Sequence, residues 1–247
     1  MSFFDKLRAG NGYDSPSRIH SARSGHAATA VAKASVSAPP GPGYVQRAGR
    51  QSNGLKEFLW TLDGIGHGHL LDLGPAWQTT IMFFLERGFK VYTEDLLSAW
   101  KDFLDADAKR IREQSANADP ALASPASRAE RFLAGSLRYP DGTFDAVLMW
   151  DLLDYLDAEM STRVVARVTS LMRDGGAVLA IFHNRKPEGF HRYRILDAQR
   201  VELVSTPSPI AAHRIYQNRE ISNFFMRFRS SKSFVGRDQL RENLFVK

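Results

Sequence analysis

His69-Leu70-Leu71-Asp72-Leu73-Gly74-Pro75-Ala76-Trp77-Gln78 is a short apolar run that ends in an Asp-Leu-Gly turn and leads into helical sequence. A second run of strand character, Lys90 to Thr93, closes on Glu94-Asp95. A strand, a glycine turn, a helix start and an acid 21 residues beyond the glycine are the ingredients of a nucleotide-type site at the edge of a parallel sheet. Gly74 lets backbone approach a ligand closely, and the helix after it offers amide donors to a carboxylate or phosphate. Asp95 is placed to accept both hydroxyls of a ribose, with Glu94 as the fallback. The competing reading is that this acidic pair only caps the following helix.

Outward from this stretch, the sequence alternates between helical and strand periodicity from about Gly54. Leu55 to Leu62, Thr79 to Arg87 and Trp100 to Ile111 read as helices, and Phe144 to Trp150 reads as a strong strand after a weak one near Phe132. A helix carrying Met160, Val164, Val168 and Leu171 is expected to stop at Asp174-Gly175-Gly176, where the apolar strand Ala177 to Phe182 begins. Beyond it, residues 190 to 204 read as two short strands around a turn. A helix with Ile221, Phe224, Phe225 and Phe228 follows, then a terminal hairpin over Lys232–Val235 and Arg241–Val246. Strands separated by helices imply a parallel sheet covered on both faces.

Composition narrows the class. The 247 residues are long enough for one full core plus an appendage. Cysteine is absent, which excludes disulfides and thiolate metal sites. No apolar run approaches the roughly eighteen residues of a membrane span, so a soluble, cytoplasmic chain is expected. Charge is uneven: seven Lys and Arg face only Asp5 and Asp14 before Leu55, so five of the six net positive charges lie there. That stretch is rich in Ser, Ala, Gly and Pro, and residues 1–52 are expected to form a disordered basic tail ahead of a domain over 53–247. Its charges are scattered, so a solubilising role is preferred to nucleic-acid binding.

The order of these elements resembles the class I S-adenosylmethionine-dependent methyltransferase family over roughly Gly54 to Lys247. Leu70-Leu71-Asp72-Leu73-Gly74 is similar to its first motif, Asp95 to its ribose-binding acid, and Gly142 to Asp151 to its fourth-strand motif. Leu171 to Leu179 is similar to its helix end and fifth strand. The resemblance implies a three-layer Rossmann-like α/β fold, a mainly parallel seven-stranded sheet with an antiparallel terminal strand. It implies S-adenosylmethionine as cofactor and methyl transfer to a small-molecule acceptor. The cofactor-binding set it implies is Asp72, Gly74, Ala76, Gln78, Glu94, Asp95, Ser136, Leu137 and Trp150. Two departures stand out: Ala76 and Gln78 replace further turn glycines around the bulky Trp77, and Ser136 stands where an acid commonly reads the adenine amino group.

For chemistry, Asp151 is a candidate base or orienting acceptor just past the fourth strand, and His183 is the best-placed histidine after the fifth. His67 and His69 precede the first strand, at the wrong end for the site, and no metal is expected. Arg192, Tyr193 and Arg194, in an insertion near 190–216 with no evident packing role, are candidate acceptor-binding residues. The alternative function is a noncatalytic methyltransferase-like binding protein with a degenerate cofactor loop. An RNA methyltransferase ranks last because the body is nearly neutral and lacks an Asn-Pro-Pro-Tyr type motif. No oligomeric state is assigned.

Overall fold

The structure, a computed structural model, describes residues 49–113 and 124–247, all within one compact unit. The expected tail over residues 1–48 and most of the loop before Pro125 lie outside the described residues. Strands β2 (His69–Asp72), β3 (Lys90–Thr93), β4 (Phe144–Trp150) and β5 (Met172–His183) pair in parallel. The antiparallel hairpin β8 (Ser230–Val235) and β9 (Leu240–Val246) completes a sheet of order β3-β2-β4-β5-β9-β8.

Every residue of β4 is buried, as a central strand covered on both faces requires. The period of two sorts the strands onto two cores. Leu71, Val147, Met149 and Val178 face one core, together with residues of α3 (Leu96–Glu113), α4 (Pro125–Gly135) and α5 (Ala158–Leu171). Leu70, Ala146, Leu148 and Leu179 face the other, with α1 (Asn53–Thr61) and α2 (Gln78–Leu85). Side-chain caps start the covering helices: Ser52 Oγ accepts from Leu55 N at 3.0 Å, and Asp157 Oδ1 accepts from Met160 N at 2.8 Å. The fold is Rossmann-like.

Three details differ from the sequence reading. Among the described residues the main sheet has six strands, because the segment around Phe132 is helical. Ser124 caps α4, Pro125 occupies its first turn, and Arg128 and Arg131 reach the buried Asp107 of α3. Helix α5 stops at Leu171 and the chain enters β5 directly, with Gly175 at φ +84° inside the extended segment rather than at the helix end. The insertion does have a packing role. Its strands β6 (His191–Ile195) and β7 (Arg200–Ser205) join β1 (Arg50–Gln51) in a three-stranded sheet of order β1-β7-β6. Tyr193, Ile195 and Val201 are buried in the core beside β2 and β4, and Ile195 N donates to Thr80 Oγ1 of α2 at 3.0 Å.

Residues Arg50–Ser52, expected at the end of the tail, therefore belong to the folded body. Arg50 bridges Asp238 and the buried Glu242, whose other oxygen accepts from Gly54 N at 2.6 Å. Removing one partner of a buried pair strands the other charge. Arg50→Ala is expected to cost about 2–3 kcal/mol, read as a fall in melting temperature. Adding Glu242→Gln should recover part of the loss. An unchanged melting temperature in Arg50→Ala would show that the bridge contributes nothing.

Candidate functional site

The carboxyl ends of β2 and β4 meet at Asp72. Its side chain turns inward, and Oδ1 accepts from Gly74 N at 2.9 Å and from Trp150 Nε1 at 2.7 Å. Burial raises the Asp72 carboxyl to about 7, against the pull of those two hydrogen bonds. A Cβ at Gly74 would lie 2.9 Å from two atoms of the Trp150 indole, so only glycine admits the ring here. Trp150 ends β4 with φ +51°, a conformation that costs a bulky residue roughly 1–2 kcal/mol. The Asp72 hydrogen bond and a stacked contact with Tyr193, ring centres 5.5 Å apart and 5° from parallel, hold it there.

Tyr193 carries the network onward. Its hydroxyl donates to Asp151 Oδ2 at 3.1 Å, and that oxygen lies 3.8 Å from His183 Nε2. The other face of the imidazole is fixed by Asp154, which accepts from His183 N at 2.7 Å and pairs with Nδ1 at 2.9 Å. A proton on Nδ1 satisfies the carboxylate and leaves Nε2 as the acceptor. Burial pulls the His183 imidazolium down, but the hydrogen bond to Asp154 and the charges of both acids outweigh it, so His183 is raised. Burial lifts Asp151 to about 7, opposed by His183. Asp154 is fully buried in the 3-10 helix Leu152–Tyr155 and was not singled out in the sequence. Its signal was the three-residue spacing from Asp151, which returns both acids to one side of a tight turn.

Asp95, just past β3, both caps and pairs. Its carboxylate accepts from Ser98 N at 3.2 Å and Ser98 Oγ at 2.9 Å, and it receives Arg192 Nη1 at 2.9 Å. Glu94 turns elsewhere: its Oε2 accepts from Leu137 N at 3.2 Å, beside Ser136 at the end of α4. Ala76 and Gln78 are exposed beyond the turn. Arg194 is bound to Glu202 at 2.6 Å and lies over the Trp77 ring, away from Asp151. The structure thus joins Asp72, Gly74, Trp150, Tyr193, Asp151 and His183 in one network and places Arg192 on Asp95. It leaves Ala76, Gln78 and Arg194 outside that network, and Leu137, next to Ser136, in a separate contact with Glu94.

Two cavities flank it. One of about 20 Å³, room for a single water, lies between Gly74, Trp150, Asp151 and Arg192. Another of about 180 Å³ is bounded by His183, Arg185, Lys186 and Gln239, and His191 lines both. No helix among the described residues is long and apolar enough to cross a membrane. Among those residues no cluster of three or more His, Asp or Glu is placed to hold a metal ion.

No family model and no curated protein sequence matches the chain. Solved structures similar to it include an S-adenosylmethionine-dependent methyltransferase from Mesorhizobium loti, 14% identical, covering 77% of this chain and 96% of that one, with a TM-score of 0.43. The glycopeptide N-methyltransferase MtfA complexed with S-adenosylmethionine is 20% identical over 79% of this chain and 94% of its own, with a TM-score of 0.40. The 1,6-didemethyltoxoflavin N1-methyltransferase of Burkholderia thailandensis, solved with its substrate and S-adenosylhomocysteine, is 14% identical over 79% of each chain, with a TM-score of 0.39. At these TM-scores the topology itself carries the fold.

Asp72 supplies a test of the site's electrostatics. A carboxyl whose folded value is raised from its ordinary 3.8 to about 7 binds its proton more tightly when folded. Its contribution therefore falls as pH rises from about 4 to about 7, and the penalty is complete above that. Asp72→Asn retains the Oδ1 acceptor and removes the charge. Relative to the wild type, the variant should gain stability with rising pH, on the order of 2–4 kcal/mol between pH 4 and pH 8. Parallel melting-temperature profiles for the two proteins would contradict this.

Proposed function

We propose that this chain is an S-adenosylmethionine-dependent methyltransferase of the class I type, acting on a small-molecule acceptor. The observation that carries the reading is the pairing of Asp95, a carboxylate at the end of β3, with the Gly74 turn at the end of β2, beside the buried Asp154–His183–Asp151 cluster. The two oxygens of the Asp95 carboxylate are the right acceptors for a ribose diol. The residues after Pro75 and the start of α2 offer backbone amides to the carboxylate of the methionine end, and the Asp72 and Asp151 carboxyls suit its ammonium.

When bound, S-adenosylmethionine supplies an electrophilic methyl group on a sulfonium. This chain's part is to orient the acceptor and take its proton. Asp154 fixes the imidazole through Nδ1, so His183 Nε2 is the proton acceptor, and Asp151 faces the imidazolium that results. Tyr193 holds Asp151 in place through its hydroxyl. We place the acceptor in the cavity of about 180 Å³ beside His183, with Arg185 and Lys186 at its margin.

Two observations favour the alternative, a noncatalytic methyltransferase-like binding protein with a degenerate cofactor loop: the indole of Trp150 fills the close-approach space at Gly74, and Arg192 sits on Asp95. The readings part on binding and turnover. Calorimetry should show saturable binding of S-adenosylhomocysteine, and pooled small-molecule acceptors should gain label from methyl-labelled S-adenosylmethionine. His183→Ala is expected to lower that transfer about a hundredfold or more with S-adenosylhomocysteine affinity unchanged. Asp154→Asn should lower it less and shift the pH profile. No binding of S-adenosylhomocysteine to the well-folded chain would overturn the cofactor assignment and favour the alternative.

A further inference from the structure

We propose that Arg192 is a built-in occupant of the ribose site, so that the cofactor enters by displacing it and β6 acts as the gate of its own domain. The inference rests on the proposed function and goes beyond it by assigning the control of access. Arg192 stands in the first half of β6 and reaches across to the start of α3. Nη1 donates to Asp95 Oδ1 at 2.9 Å and Nη2 to Ser98 Oγ at 2.9 Å. The side chain is only 14% exposed, and its guanidinium lies 4.9 Å from the Phe190 ring centre. It meets with one donor the carboxylate that a ribose would address with its hydroxyls, and with the other the Ser98 hydroxyl beside it.

The neighbouring side chains close the rest of the site. Tyr193, next in the strand, stacks on Trp150, and Trp150 fills the space over Gly74. What remains between the β2 turn and β6 is the cavity of about 20 Å³, whereas a site for a nucleoside-sized ligand needs about 300 Å³ or more. Binding therefore requires the Phe190–Tyr193 segment to lift. Its leading connection, Asn184 to Gly189, is largely exposed, but His191, Arg192 and Tyr193 pair with Ser205, Val204 and Leu203 of β7, so the open end of the β6–β7 hairpin moves as one unit while its turn end is anchored by Ile195 N on Thr80 Oγ1. A site open only part of the time binds with an affinity reduced by the open fraction, so weakening the latch tightens binding.

This gives Arg192 the opposite sign from an ordinary ligand-contacting residue. The test is calorimetric titration of the full chain and its variants with S-adenosylhomocysteine, with melting curves to confirm folding. Arg192→Ala should bind about tenfold tighter than the wild type. Ser98→Ala, which removes one anchor of the guanidinium, should bind tighter by a smaller factor and keeps the test usable if Arg192→Ala misfolds. Wild-type affinity should rise with ionic strength as the Arg192–Asp95 pair is screened, and that dependence should vanish in Arg192→Ala. Equal or weaker binding by both variants, with the wild type binding, would overturn the gate and leave the methyltransferase reading standing. Absence of binding to the wild type and both folded variants would overturn the two together.

Discussion

The hydrogen bond from Trp150 Nε1 to Asp72 Oδ1 is the constraint on which the site depends. It ties the end of β4 to the end of β2 at the point where the chain leaves the sheet on both strands. It also holds Trp150 in a left-handed backbone conformation that the ring would otherwise avoid. With the indole fixed, Tyr193 has a flat surface on which to stack, and its hydroxyl then falls on Asp151. Loss of the Asp72 contact would release the indole, the stacked tyrosine and the position of β6 in turn.

The same network concentrates buried carboxyls in a small volume. Asp72, Asp151 and Asp154 are all withdrawn from water, and each is held by donors rather than left alone. Burial pushes these acids up, while the two acids around His183 push the imidazole up. Proton exchange within such a cluster is sensitive to small displacements, because each hydrogen bond is short-ranged and the surroundings screen weakly. Movement of β6 carries Tyr193 with it, so the openness of the site and the protonation of Asp151 are physically linked.

Much of this was legible in the sequence. Leu70-Leu71, Phe144 to Trp150 and Ala177 to Phe182 are apolar runs that only a doubly covered sheet accommodates, and they pair in parallel as β2, β4 and β5. Gly74 and Asp95 were singled out as candidates by their spacing, and Asp151 and His183 by their places after two strands. Phe132 was misread because its segment is short and apolar enough for a strand. The preference for a helix is expressed through Ser124, Pro125 and the long-range bonds of Arg128 and Arg131 to Asp107. Arg192 to Arg194 read as part of an insertion with no packing role because charge hides the alternation: Tyr193 points into the core and Arg192 reaches across to Asp95. Asp154 was missed because its role depends on a histidine 29 residues away.

The central claim is that ligand is read at the turn where Asp72, Gly74 and Trp150 meet. The chain has four tryptophans, so its indole N–H resonances are few and can be assigned by single Trp→Phe variants. Trp60 is 71% exposed on α1, whereas Trp150 is bonded to Asp72. A titration with S-adenosylhomocysteine followed on these resonances should move the Trp150 signal as its hydrogen bond and stacking change, and leave Trp60 in place. Saturable binding that leaves the Trp150 resonance unmoved would contradict the account.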